Sequence, residues 1–240
     1  MNQTNQQKVA LVTGASRRIG AAIARHLHQA GYRIVVHCLQ SYHDGQALVQ
    51  EMNQKKSDSA KLLVADLGEK SAILTLVDEA VHWAGRLDLL VNNASIFTRN
   101  DADWDKLFNI NTKAPFYLSH AAFSHLAVYH GAIINITDIH AEQPLKGYAV
   151  YCQSKAALLM QTKALAVEFA PNVRVNAVAP GAIMWPETEN ALDPVQQQTI
   201  IAKTLLKQHG NSLFIAQAVL ALADNPFITG QSLRVDGGRG

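Results

Sequence analysis

Three side chains near the middle of the chain have the chemistry to move a proton. Tyr151 and Lys155 are four residues apart, so on a helix they share one face. A phenol with an ordinary pKa near 10 is a poor acid–base group at neutral pH. A neighbouring ammonium, joined by a positive cofactor ring, favours the tyrosinate. Upstream stands Asp138, at the end of the apolar run GAIINITD. A carboxylate there can hold the tyrosine and exchange a proton with it. The alternative is that Asp138 caps the turn after a strand, as aspartate often does.

A second group of residues can cradle phosphate. The stretch VTGASRRIG, 12–20, contains Gly14 and Gly20. Glycines at a strand-to-helix turn let backbone N–H groups and a helix N-terminus approach a pyrophosphate. The middle glycine position of the ordinary G-x-G-x-x-G pattern is occupied by Arg18, followed by Ile19. A structural turn without ligand is the alternative. The next strand ends HCLQSYHD, with no carboxylate before Asp44. A site for NAD usually places a carboxylate there, whereas a 2′-phosphate wants cationic and hydroxyl donors. Arg17, Arg18, His37 and Ser41 therefore point to NADPH/NADP+. The alternative is that both arginines are solvated surface charges.

These residues need a scaffold. The apolar runs 8–14, 33–39, 61–67, 87–95, 131–138, 172–181 and 232–238 read as strands, several buried on both faces. Between them, 18–30, 44–56, 70–84, 101–128, 148–170 and 212–224 read as helices. The alternation predicts an α/β fold: a single Rossmann-like, doubly wound, seven-stranded parallel sheet with helices on both faces. One domain over 1–240 is expected, with a flexible leader 1–7 and a substrate loop within 182–210. Its first part, 182–195, holds two prolines and reads as a lid. Met184 and Trp185 in it touch substrate or pack within their own loop.

Composition sets the frame. The 240 residues are 48% apolar and 17% charged, enough for a full core. A net charge of +2 argues for neither nucleic acid nor a membrane surface. Cys38 and Cys152 read as free thiols, and the polar MNQTNQQ opening lacks a signal-like apolar core. No apolar run is long enough to span a bilayer. A cytoplasmic protein is expected. The ten histidines are scattered without metal-ligand spacing, so no metal is expected.

Along essentially its whole length the chain resembles the short-chain dehydrogenase/reductases. The motifs are TGASRRIG (13–20), ADL (65–67), NNAS (92–95), NINT (109–112), YCQSK (151–155), NAVAPG (176–181) and VDGG (235–238). The resemblance implies that Asp66, with Leu67 beside it, contacts the adenine, and that Asn93 and Ala94 line the cofactor. It implies that Asn111 joins a proton relay with Tyr151 and Lys155, and that Lys155 also orients the nicotinamide ribose. Pro180, Gly181 and Ile183 would meet the nicotinamide, with Gly181, Met184 and Trp185 towards substrate. Assembly as a homotetramer through 101–128 and 148–170 is also implied.

Two departures narrow the resemblance. Arg18 replaces a glycine of the usual loop, and Asp138 stands at the usual catalytic serine. Both are similar to the pteridine reductases, including the bacterial dihydromonapterin reductases. That resemblance implies Phe97 stacking on a pterin, Ser95 and Arg18 contacting phosphate and substrate, and Tyr148 hydrogen-bonding near Asp138. It departs again at Gln40, where that group often has a cation. The expected reaction is NADPH-dependent reduction of a dihydropterin to a tetrahydropterin. Another carbonyl or imine substrate, or an NADP(H)-sensing protein without turnover, are the alternatives.

Overall fold

Seven short apolar runs pair side by side into one all-parallel sheet. The strands are β1 (Val9–Val12), β2 (Arg33–Cys38), β3 (Ala60–Val64), β4 (Leu89–Asn92), β5 (Ala132–Ile136), β6 (Arg174–Pro180) and β7 (Ser232–Val235), in the order β3-β2-β1-β4-β5-β6-β7. The computed structural model describes residues 7–187 and 190–239. The expected flexible leader therefore lies, but for Gln7, outside the described residues, as do positions 188 and 189 of the lid.

Side chains alternate across the pleat, and helices cover both faces. Ala10, Val12, Ile34, Val36, Val91 and Ile134 share one core layer with residues of α1 (Arg18–Gln29), α2 (Tyr42–Lys55) and α8 (Ser212–Asp224). Val9, Leu11, Val35, Leu90 and Ile133 face α3 (Lys70–Ala84), α5 (Ala114–Ala127) and α6 (Ala149–Phe169). Each fully buried leucine or isoleucine contributes roughly 1.5–3 kcal/mol by leaving water. Burial on both faces explains the nearly continuous apolar strands. The chain runs outward from β1 to β3, then returns to β4 on the other side of β1. Ligands of open parallel sheets bind in the crevice at such a reversal, beyond the strands' carboxyl ends.

Three elements differ from expectation for identifiable reasons. The strand read over 87–95 ends at Asn92. There Asn93 and Ala94 turn to donate their backbone N–H groups to Thr13 Oγ1, each at 3.0 Å. The helix read over 101–128 is broken into a tight turn at Asp101–Asp103, α4 (Trp104–Phe108), a wide turn at Asn109–Lys113 and then α5. Pro115 has no N–H to return to the carbonyl of Asn111, so a regular α-helical bond is forbidden there. Within the substrate loop lies an unexpected helix, α7 (Pro194–Ala202). Its start is a reciprocal cap, with Asp193 accepting from Gln196 N at 2.8 Å and Gln196 accepting from Asp193 N at 3.1 Å.

Candidate active site

A cavity of about 760 Å³ opens at the strand-order reversal. Its inner wall is the β1–α1 turn. Gly14 adopts a positive φ of 59°, and a Cβ there would come within 2.9 Å of the Ala94 backbone. Only glycine lets these two segments approach so closely. Asn93 Nδ2 fastens the turn by donating to the carbonyls of Thr13 at 2.8 Å and Gly14 at 3.0 Å. Ser16 Oγ is buried against this wall without a protein partner. The N-terminus of α1 and the unmatched hydroxyl suit the phosphates of a dinucleotide. Ile19, Ser41, Leu67, Pro180, Gly181 and Ile183 line the same cleft.

Arg18 occupies the position where the resembled family has glycine, and its φ of 55° shows why glycine is usual there. An L-residue in that region costs about 1–2 kcal/mol. The arginine offsets this by crossing the cleft. Its guanidinium pairs with Glu187 and donates to the Trp185 carbonyl at 2.9 Å. Arg18 thus fastens the phosphate turn to the lid.

One cofactor expectation is corrected and two are qualified. His37 is not a cation for the 2′-phosphate. It is buried, accepts from Gly14 N through Nδ1 at 3.2 Å, and meets the Ala65 carbonyl through Nε2 at 3.1 Å. A carbonyl only accepts, so Nε2 carries the proton. Burial lowers the pKa of His37, and the neutral ring holds the glycine turn. Asp66 accepts from Gly68 N at 2.8 Å, and it is Ala65 and Leu67 that line the cavity. Arg17 lines the cavity but also faces Asp44 at 3.8 Å across an exposed gap, a contact worth little.

At the chemical end, α6 presents Tyr151 and Lys155 on one face and β5 delivers Asp138. Tyr151 Oη donates to Asp138 Oδ2 at 2.7 Å. The other carboxylate oxygen accepts from His140 N at 2.8 Å. Asp138 therefore holds the Tyr151 hydroxyl with one oxygen and caps the following turn with the other. In the protein alone, without the positive cofactor ring, the tyrosinate is not favoured. Burial first, then the charge of Asp138 and its hydrogen bond, hold the Tyr151 pKa well above 10, so the phenol keeps its proton. Lys155 Nζ donates to the Ile136 carbonyl at 3.0 Å and lies 5.9 Å from the Tyr151 ring centre.

Asn111 stands behind these groups, fully buried. Its Nδ2 donates to Ser154 Oγ and to the Ile96 carbonyl, each at 3.0 Å. Its Oδ1 accepts from Ile96 N at 2.8 Å and Ser95 Oγ at 3.1 Å. It positions α6 and the segment after β4. The cavity itself is lined by Ser95, not by Asn111.

Burial brings the pKa of Lys155 down to about 8, partly offset by Asp138. The unfolded chain binds this proton more tightly, so the ammonium destabilises the fold below pH 8. That penalty is relieved as pH rises towards the unfolded value of 10.5. Lys155→Met removes the titration. Urea unfolding without cofactor should show the wild type gaining about 2.5 kcal/mol on Lys155→Met between pH 7 and pH 10. A pH-independent difference would contradict the burial argument.

The outer pocket is aromatic. Phe97 and Tyr148 stack at 4.4 Å with their planes 16° apart, and Phe97 meets Tyr151 edge-on at 4.8 Å. One face of Phe97 is thus already covered. Tyr148 does not hydrogen-bond beside Asp138 as expected. Its hydroxyl donates to Asn190 Oδ1 at 2.9 Å and accepts from Arg99 Nε at 2.9 Å. Met184 and Trp185 line the cavity, and Trp185 also packs on His209 at 4.3 Å, within the substrate loop's own span. Asn190, buried in the lid, was missed by sequence reasoning because nothing local marks a lone polar residue that becomes enclosed through long-range contacts. Ser16 and Ser154 were missed for the same reason. Among the described residues no cluster of metal-ligating side chains occurs, and no helix is long and apolar enough to cross a membrane.

Comparison with known proteins agrees with this architecture. Residues 14–239 match a family described as enoyl-(acyl carrier protein) reductase. The 3-oxoacyl-(acyl-carrier-protein) reductase FabG of Rickettsia prowazekii (strain Madrid E) is 36% identical, covering 96% of each chain. Nodulation protein G of Rhizobium sp. (strain N33) is 38% identical over 95% of each. A blue fluorescent protein from a metagenomic library, solved in complex with NADPH, is 36% identical with a TM-score of 0.90, covering 99% of this chain and 100% of its own. With a family match over most of its length and relatives 36–38% identical over nearly their whole chains, the chain belongs to the short-chain dehydrogenase/reductase family.

Proposed function

We propose that this oxidoreductase uses NADPH to reduce a ring C=N bond of a dihydropterin, giving a tetrahydropterin. The observation that carries this reading is the 2.7 Å hydrogen bond from Tyr151 to Asp138. Support for the cofactor comes from the glycine turn, the absence of a carboxylate at the end of β2, and Arg17 at the cleft. The NADPH in the metagenomic relative is consistent with it. When bound, NADPH supplies the hydride to the ring carbon.

The protein's task is then to deliver a proton to the ring nitrogen. Tyr151 holds that proton as a neutral phenol, and Asp138 fixes the hydroxyl's direction. A carboxylate is also an acceptor only, which suits a substrate edge rich in N–H donors. It would repel the negative charge that develops on a carbonyl oxygen. Lys155 binds the nicotinamide ribose and keeps positive charge near the pair. Phe97, backed by Tyr148, offers its remaining face to a planar ring. In this reading the subunits assemble as a homotetramer, supported by the exposed apolar Phe116 on α5 and Met160 and Val167 on α6.

One finding favours a second reading. The relative from Rickettsia is named for reduction of a 3-oxoacyl group, so this chain would reduce a carbonyl of that class. NADPH consumption separates the two. Dihydrobiopterin, dihydromonapterin and dihydrofolate are expected to be turned over, with NADH much weaker in parallel. Turnover of acetoacetyl-coenzyme A with none of the three pterins would replace the first reading by the second.

A further inference from the structure

The charge lining the outer pocket is unbalanced. Arg99, Lys106 and Lys146 line its substrate end, and Arg239 lines the cavity as well. Among the described residues the cavity's only carboxylate is Asp138, whose two oxygens are engaged by Tyr151 and His140. None of the four cations forms a salt bridge with a described carboxylate, although Asp101, Asp103 and Asp105 stand on the same segment as Arg99 and Lys106. Those three aspartates are not part of the cavity wall.

Arg99 touches the aromatic wall, and Lys106 and Lys146 each adjoin in sequence a residue packed in its cluster. Arg99 reaches the Tyr148 hydroxyl and lies 5.0 Å from its ring centre. Lys106 is on α4, whose Leu107 is buried in the cluster with Tyr148 and Tyr151. Lys146 follows Leu145, which packs on the same cluster. Exposed cations that line one cavity without carboxylate partners raise the local concentration of anionic ligands.

We propose that Arg99, Lys106 and Lys146 form a subsite for an anionic group on the substrate, beyond the ring or carbonyl that is reduced. The group is a carboxylate or phosphate on a tail that leaves the pocket past Tyr148. This rests on the reading above only for the identity of the reduced ring. Two sources share the chemistry: the glutamate carboxylates of a folate-type tail, and the phosphates of a phosphopantetheine-type thioester.

The test compares matched substrates with wild type and the double variant Lys106→Gln/Lys146→Gln. Dihydrofolate is paired with the uncharged dihydrobiopterin, and acetoacetyl-coenzyme A with uncharged acetoacetyl-N-acetylcysteamine. For the anionic member of whichever pair is turned over, KM is expected to rise about fivefold in the variant and with added salt, kcat staying constant. The uncharged member should move less than about twofold, since it makes no ionic contact. Such a shift confined to the thioester pair, with no pterin turnover, would uphold the subsite and overturn the pterin reading. Equal response of charged and uncharged members would overturn the subsite while leaving the reaction intact. Should neither pair react, calorimetry on the NADPH-loaded protein decides with 4-aminobenzoylglutamate and 4′-phosphopantetheine. Binding weakened by the double variant upholds the proposal, and charge-independent or absent binding overturns it.

Discussion

Replacing Tyr151 by Phe is expected to lower kcat by a factor on the order of 10² to 10⁴, the range typical of removing a positioned proton donor. NADPH affinity should change little. The hydroxyl is directed at Asp138, whereas the phosphate turn is built from Gly14, Thr13, Asn93 and His37 on other elements. The fold should also persist, because the ring keeps its apolar contacts in the cluster with Leu107 and Val150. Stopped-flow turnover and NADPH fluorescence titration check the two halves separately. A variant that retains full turnover would remove Tyr151 from proton delivery. A variant that loses NADPH binding would mean the hydroxyl organises the cleft itself.

Asp138→Ser carries the second large effect, and it is directional. The serine hydroxyl is neutral and can donate, so it stabilises a developing alkoxide that the carboxylate repels. It also ends the charge that helps hold the Tyr151 phenol protonated. Dihydropterin kcat/KM should fall by about 10²-fold, a typical cost for a misplaced proton-delivery group. Reduction of an activated ketone should hold steady or rise. The backbone N–H of His140 keeps an acceptor in the serine hydroxyl, so the expected loss of stability is small, under about 0.5 kcal/mol. Thermal unfolding measures that loss apart from the kinetics. Equal loss on both substrate types would mark Asp138 as a structural cap alone.

The parts of this site that were legible in the sequence are those fixed by local spacing. Tyr151 and Lys155 share a helix face because they are four residues apart, and Gly14 sits at a strand-to-helix turn because the apolar run stops there. The sheet followed from apolar runs too short for helices. What was misread depended on neighbours distant in the chain. His37 looked like a phosphate ligand but is consumed by Gly14 and Ala65, from two different strand ends. The i+4 ammonium beside Tyr151 is a local feature, while the burial that holds its phenol protonated in the protein alone is not. Tyr148 turned from Asp138 to Asn190, which is 42 residues away in the lid. The interruption at Asn109–Lys113 was signalled only by Pro115, inside an otherwise helical pattern. Helix α7 was signalled by Asp193, Pro194 and Gln196, a cap pattern masked by the irregular residues before it.

The most direct measurement is a competition in one vessel. Wild-type protein with NADPH is given equal concentrations of dihydrobiopterin and acetoacetyl-coenzyme A, and both products are quantified early in the reaction. The product ratio is then the ratio of the two kcat/KM values. Tetrahydrobiopterin in large excess is the predicted result, because Asp138 disfavours a developing alkoxide and favours an N–H-rich ring. The hydroxyacyl thioester as the main product would contradict the account at its centre, and would assign the Tyr151–Asp138 pair to carbonyl reduction.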